Sequence, residues 1–299
     1  MKGIILNIQP KRVKTNKIAK RYKRCLREIK NHFSATDYSD PDVIHGLRVN
    51  LKRIDALMSL FDFCGMKLAC RHLKTIRSFF TVAGRLRSIQ VEFDIVGKYF
   101  ENDTLHPDYL HQLHEKKKAR LASYSDFLEA GPSDELRVTL RTLKKKIDCI
   151  TRQNVVDYLT HEQKILSKRL MHNIFREQEL HLIRRDLKRF YLNMRMAKLD
   201  NDDLAKLLDL LGTWHDHQIA FDHVVKALHT GNLTESEKES TDAIKRKLID
   251  EKEALFEKIV SFYVSDNVPV PSPVHPHGHT NYHEDRSDPH AHGPLPVKK

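Results

Sequence analysis

Cysteine, proline, glycine and aromatic side chains are all scarce in this 299-residue chain, and each scarcity closes off a class of structure. The four cysteines, Cys25, Cys64, Cys70 and Cys149, have none of the Cys-x-x-Cys spacing of a zinc or redox site and are too few for a disulfide scaffold of this length, so a reducing cytoplasm is the expected home. Before residue 269 proline occurs only at Pro10, Pro41, Pro107 and Pro132, and glycine is similarly thin, so little interrupts helical periodicity. No apolar run approaches the roughly 18 residues of a membrane span. The short apolar stretch within Met1 to Pro10 has neither the length nor the cleavage site of a signal peptide, so a soluble protein without membrane insertion is expected. Few aromatics interleave with the basic residues, which argues against a base-stacking surface, and no helix-turn-helix or zinc-finger spacing is present.

Positive charge, by contrast, is abundant. Lys and Arg outnumber Asp and Glu by 52 to 40, a formal net charge of +12. Such an excess suits a polyanionic partner, whether nucleic acid, an anionic membrane or a phosphate polymer, and does not choose among them.

Apolar residues at helical spacing run through most of the chain, and the expected fold class is all-α. Ile18, Tyr22, Cys25 and Ile29 mark a first, strongly basic helix; a second follows Asp40-Pro41, an N-cap and first-turn proline; then segments near 66–82, 84–100 and 106–128. From Ser133, Leu136, Leu140, Leu143, Ile147 and Ile150 continue the period with Arg137, Arg141, Lys144 and Lys145 opposite. From about residue 267 the composition breaks: seven prolines and six histidines fall within Val268 to Lys299, which predicts a disordered tail. Its His275-x-His277-x-His279 and His290-x-His292 runs have the chemistry to chelate a transition metal, or are a low-complexity tail with incidental affinity.

One pattern occurs twice. His45-x2-Arg48-x3-Lys52-Arg53 returns 136 residues later as His181-x2-Arg184-x3-Lys188-Arg189. Positions i, i+3 and i+7 of a helix fall within about 60° of one another, so His45, Arg48 and Lys52 form one strip and His181, Arg184 and Lys188 another, with Arg53 and Arg189 flanking. Ile44, Leu47, Leu51, Ile54, Met58 and Phe61 oppose the first strip, and Ile183, Leu187, Phe190 and Met194 oppose the second. Gly84 to Asp94 then matches Gly212 to Asp222, sharing Gly, Gln, Phe and Asp in register at an offset of 128; an eight-residue shortening, with Asp200-Asn201-Asp202-Asp203 as a tight connection and cap, accounts for the difference. The expected architecture is two related helical bundles joined near residues 101–135 within residues 1–266, the first about 12–128 and the second about 133–265.

The string His-x2-Arg-Val or its second copy on an amphipathic helix, each followed by a Gly-x2-(Arg/His)-(Ser/Asp) segment read as a turn, resembles the CHAD domain, the conserved histidine α-helical domain, over about residues 12–265. The resemblance implies an all-α fold of two pseudo-symmetric antiparallel four-helix halves whose basic helices enclose a groove or cavity for inorganic polyphosphate. Carried onto this chain, it assigns ligand contact to His45, Arg48, Lys52 and Arg53, to His181, Arg184, Lys188 and Arg189, and to Arg87 of the first glycine segment. The chain departs from the family pattern at Asp55 and Tyr191, where a further basic residue is common, and at Ser88 and His215, which split the Arg-Asp pair between the two copies. The Glu-x-Glu-x-Lys signature of a triphosphate-tunnel domain, which many relatives carry, is not matched by Glu251-Lys252-Glu253.

Such a site suits its ligand. Arginine offers forked, permanently charged donors to phosphate oxygens, lysine offers a mobile point charge, and counterion release drives association. Histidine beside dense negative charge favours its protonated form. Taken alone, His45 or His181 also reads as a buried, hydrogen-bonded core imidazole. The expectation is a non-catalytic cytoplasmic polyphosphate binder, in solution or on polyphosphate granules, with no cofactor. Non-specific nucleic-acid binding through the same basic surface is the alternative. A metal-dependent phosphohydrolase built on His215, Asp216, His217, Asp222 and His223 is a third reading, weakened because adjacent helical residues point about 100° apart.

Overall fold

In the computed structural model, residues 13–32, 40–99, 107–130, 133–173, 177–230 and 234–261 are described, and within them the backbone forms nine α-helices. These are α1 (Thr15–His32), α2 (Pro41–Phe63), α3 (Cys70–Tyr99), α4 (Pro107–Glu129), α5 (Ser133–Asp148), α6 (Arg152–Asn173), α7 (Glu177–Met196), α8 (Asp202–Thr230) and α9 (Glu235–Ser261). All lie in one compact unit, Met1–Pro269. The histidine-rich tail expected from residue 267 falls outside the described residues.

Local chemistry sets the ends of the two histidine helices. Asp40 caps α2, its side chain accepting from the Asp42 amide at 2.9 Å, and Pro41 occupies the first helical position. At its C-terminus the Met66 amide donates to the Phe61 carbonyl at 2.8 Å and the Gly65 amide to Asp62 at 3.1 Å, with Gly65 at φ 69°. α7 ends on the same motif: Leu199 donates to Met194 at 3.0 Å and Lys198 to Arg195 at 3.1 Å, with Lys198 at φ 60°. Asn201 then caps α8, accepting from the Leu204 amide at 2.8 Å.

The internal repeat is visible in the packing. An offset of 136 carries α1 onto α6 and α2 onto α7; an offset of 128 carries α3 onto α8 and α4 onto α9. Under that pairing the neighbours match: α1 on α2 as α6 on α7, α2 on α3 as α7 on α8, α3 on α4 as α8 on α9, and α1 on α7 as α6 on α2. The two halves meet where α2 packs on α7 and α3 on α8. α5, the helix with which the second half was expected to open, has no counterpart; it docks on α1 and α3 through Leu136, Leu140, Leu143 and Ile147.

Both histidine helices bury the apolar faces read from their sequences. Ile44, Leu47, Leu51, Ile54 and Phe61 are buried, with Met58 at the edge, as are Ile183, Leu187, Phe190 and Met194. Each such side chain contributes about 1.5–3 kcal/mol relative to exposure, against about 0–1 kcal/mol for a surface ion pair, so this core and not the charge pattern holds the halves together. One buried polar knot joins them. Tyr22 of α1 and Tyr158 of α6, 136 residues apart and so equivalent, both meet Asn193 of α7: the Tyr22 hydroxyl donates to Asn193 Oδ1, while Asn193 Nδ2 donates to Tyr158 Oη at 3.2 Å and to the Ala56 carbonyl at 2.8 Å.

One expectation needs correcting. The segments 66–82 and 84–100 are a single helix, α3, and Gly84 and Gly212 lie inside α3 and α8 instead of at turns. An isolated glycine costs a helix only about 1 kcal/mol, and Ile76, Phe79, Ala83, Leu86 and Ile89 stay buried at helical spacing straight through Gly84.

Candidate polyanion site

α2, α3, α7 and α8 pack in a ring of neighbours, and on it the two basic strips converge. Lys52 is the meeting point. Burial, followed by the positive charges of Arg48 on its own helix and of Arg184 and Lys188 on α7, pushes its ammonium down to about 8, with Asp216 of α8 acting in the opposite sense. His215 of α8 is held at about 4 by burial, then by Arg184, His181 and Lys52. Its ring lies 5.1 Å from that of His181, centroid to centroid. Arg184 and Lys188 are also lowered, first by burial; Asp216 opposes the shift at Arg184 and Asp209 at Lys188. Cations that depress one another across two helices form a cluster of positive potential that Asp216 and Asp209 offset only in part.

Arg48 is held from three sides. Its guanidinium sits 5.0 Å over the Phe80 ring, and its Nη1 packs against Gly84, where a Cβ would lie 2.5 Å away. Gly84 therefore serves as the recess that admits the arginine. Burial and the adjacent Arg87 lower Arg48, and its Nη1 is buried without a hydrogen-bond partner. Arg87 donates from Nη1 to Gln90 Oε1 at 3.3 Å and places Nη2 3.7 Å from Asp94.

The residues singled out by the motif thus divide into groups. Arg48, Lys52, Arg184 and Lys188 share one field, joined by Arg87 at Arg48 and by His181 through Arg184 and His215. His45 stands exposed one turn before Arg48; His181 is also exposed, so the core-imidazole reading fits neither. The partial burial that His181 does have lowers it, with Arg184 and Arg185 adding. Arg53 and Arg189 turn elsewhere. Arg53 donates to Asn50 Oδ1 at 3.0 Å and lies against Cys25 and Tyr22 of α1. Arg189 reaches Asp55 at 3.5 Å and Asp186 at 3.8 Å, and its charge acts on Asp62 and Glu162, two carboxyls raised by burial. Asp55, one of the departures from the family pattern, is part of what holds Arg189 away.

Sequence reading left His215 and Asp216 out of the ligand-facing set and did not include Lys98, whose charge acts on Asp216 together with Arg184, His217 and Lys52. The signal for His215 was present, since it occupies the register position of Arg87. His217, Asp222 and His223, further along α8, point to separate partners. His217 Nδ1 donates to the Thr213 carbonyl at 2.8 Å while Nε2 meets Glu251 of α9 at 2.9 Å; His223 lies 3.3 Å from Glu92 of α3; Asp222 accepts from Gln218 at 2.9 Å. Among the described residues no three His, Cys, Asp or Glu side chains are grouped to hold a metal ion, and no helix is long and apolar enough to cross a membrane.

Comparison with known proteins agrees with this architecture. The fold is similar to the crystal structure of the CHAD domain from the plant Ricinus communis, with a TM-score of 0.64 and 15% sequence identity over 91% of this chain and 98% of that one. No curated protein matches the chain. The sequence model of the CHAD domain matches residues 20–225, a span that runs from α1 into α8 and takes in both histidine helices and both glycine segments; with that much of the chain accounted for, it belongs to the CHAD domain family.

Proposed function

We propose that this protein binds inorganic polyphosphate, without catalysis, in the pocket between α2, α3, α7 and α8. The observation that carries the reading is the convergence at Lys52: cations from both halves of the repeat lie close enough to depress one another, and a linear polyanion relieves that repulsion. The family is associated with polyphosphate binding in general, which supports the same ligand. Arg48, Lys52 and Arg87 contribute from the first half, and Arg184, Lys188 and His181 from the second, with His215 between them. Arginine forks grip non-bridging oxygens, and lysines follow the chain without fixing its register. The divergence of His215, His217 and His223 toward separate partners favours binding over metal-assisted hydrolysis.

The test is a polyphosphate titration of Arg48→Ala and Arg184→Ala, with duplex DNA as competitor. Each variant is expected to lose roughly 1.5–3 kcal/mol, the worth of a charge-assisted hydrogen bond, and to show a shallower salt dependence. Far-UV circular dichroism should not change, since both side chains lie opposite the apolar face. Equal losses from the α1 surface pair Lys17→Ala and Arg24→Ala would replace the pocket by diffuse attraction, preferential displacement by DNA would favour nucleic acid, and release of phosphate in the presence of Mg²⁺ would overturn the non-catalytic reading.

A further inference from the structure

The glycine segments share a glutamine, and the two copies are built into their halves differently. Gln218 on α8 is satisfied at both ends: Nε2 donates to Asp222 Oδ1 at 2.9 Å, and Oε1 accepts from Lys252 Nζ of α9 at 2.7 Å. Gln90 on α3 is only 4% exposed. Its Oε1 accepts from Arg87, yet its Nε2 is buried with no partner. A second orphaned donor, Arg48 Nη1, lies on the adjoining helix against Gly84. Arg87 connects the two, bonded to one and close enough to the other to lower it.

A buried donor left unpaired costs about 1–3 kcal/mol, so two of them beside one arginine are a standing penalty in the free protein. Arg87 already has Gln90 Oε1 at 3.3 Å and Asp94 at 3.7 Å, but the two orphaned donors lack an acceptor, and the acceptor that suits a cation and a neutral amide beside a further guanidinium is an anionic oxygen with several lone pairs. We propose that Gln90 Nε2, Arg48 Nη1 and Arg87 form a buried phosphate-oxygen subsite in the first half, which anchors one phosphate group while the more open cations of the second half hold the rest of the chain. This rests on the polyphosphate reading above and adds to it a direction: the ligand is fixed at one end of the pocket and loosely steered at the other. Gln90, a residue without charge, is then a ligand contact, whereas its repeat mate Gln218 belongs to the scaffold.

The experiment uses the full chain, inorganic tripolyphosphate as the probe and long-chain polyphosphate as comparison, with the thermal midpoint of the ligand-free protein measured alongside. Gln90→Met keeps the volume and removes the donor; Gln90→Glu keeps an acceptor for Arg87 and replaces the donor by a carboxylate. Tripolyphosphate affinity should fall about fivefold or more in Gln90→Met, the worth of one hydrogen bond, and further in Gln90→Glu, which adds repulsion. The ligand-free midpoint of Gln90→Met should stay about level, because removal of an unpaired buried amide offsets the loss of the 3.3 Å hydrogen bond from Arg87. Gln218→Met should do the reverse, lowering the midpoint and sparing affinity. If Gln90→Met binds as the unaltered protein does while Arg184→Ala does not, a water fills the subsite and this inference falls alone. A fall in the Gln90→Met midpoint that accompanies the loss of affinity assigns Gln90 to the scaffold and also overturns it. If the unaltered protein binds neither phosphate, the subsite and the pocket reading fall together.

Discussion

Arg48 and Arg184 hold equivalent places on α2 and α7, but their surroundings are not equivalent. Arg48 is packed over Phe80, recessed against Gly84 and pressed by Arg87. Arg184 faces Asp216, and the equivalent glycine, Gly212, has nothing within 4 Å of where a Cβ would be. His215 stands where the first half has Arg87, and Asp216 where it has Ser88. The first half therefore sets its arginine in a recess beside a second guanidinium, Arg87, which Asp94 partly neutralises at 3.7 Å, while the second half faces its arginine directly with a carboxylate and lies more open. A duplicated motif reproduces residue types and helix register; it does not reproduce the energy of each residue, which depends on the neighbouring helix.

Substituting the two glycines breaks this comparison most sharply. Gly84→Ala forces the Arg48 guanidinium out of its recess, because the new methyl group would sit 2.5 Å from Nη1. The end of a flexible side chain moves at small cost to stability, but the donor is lost from the pocket, and polyphosphate affinity is expected to fall about tenfold, near the low end for a charge-assisted hydrogen bond. Gly212→Ala meets open space. It should leave affinity unchanged and raise stability by about 0.5–1 kcal/mol, the gain of alanine over glycine inside a helix. Isothermal titration and urea unfolding of the pair decide the matter, and equal affinities for the two variants would remove Gly84 and the Arg48 recess from the account.

The same glycines mark where sequence reading stops. The helices, their apolar faces and the Asp40-Pro41 start are legible because burial of every third or fourth residue leaves a periodic trace. The strips are legible because i, i+3 and i+7 share a face. Gly84 and Gly212 read as turns because a glycine in isolation looks like punctuation, and nothing local says that a side chain 36 residues earlier needs the space. Arg53 and Arg189 read as ligand contacts because the family resemblance carries over the basic pair that ends each strip, while their actual partners, Cys25 and Tyr22 for one, Asp55 and Asp186 for the other, come in part from the packing of α1 and α7 on α2. The Tyr22–Asn193–Tyr158 knot leaves a trace in the sequence, a tyrosine repeated at the 136-residue offset, but becomes meaningful only when α1 and α6 are brought together.

Proton linkage sharpens the comparison further, since each half brings its own titrating groups. In the free protein Lys52 of the first half sits at about 8, so above that pH it loses the charge that a bound phosphate would retain. Binding then takes up a proton, and affinity should decline as pH rises, by as much as about tenfold between pH 7 and 9 if the bound ammonium stays charged throughout. Histidine acts at the other end: His215, at about 4, and His181, also lowered, gain charge beside phosphate, so affinity should climb as pH falls from neutrality toward 4. Titrations across that range on Lys52→Arg, which stays charged, should show the alkaline decline abolished and the acid rise intact. An unchanged decline in Lys52→Arg would move Lys52 out of contact with the ligand.

The smallest expected difference lies at the ends of the histidine helices, remote from any ligand argument. α2 and α7 close on the same pair of hydrogen bonds, but the left-handed position is Gly65 at φ 69° in one and Lys198 at φ 60° in the other. An L-residue there carries about 1–2 kcal/mol of strain, which glycine avoids. Lys198→Gly should release that strain and give back part of it to the greater freedom of glycine in the unfolded chain, for a net gain of about 0.5–1 kcal/mol. Gly65→Ala should lose about 1 kcal/mol from backbone strain alone, because nothing lies within 4 Å of the added methyl group. The urea midpoints of the two variants should therefore move in opposite directions from the same starting value, and the double variant should return close to it, the sites being independent. A loss of stability in Lys198→Gly would mean that the lysine side chain, and not the backbone turn it occupies, is what α7 uses to end.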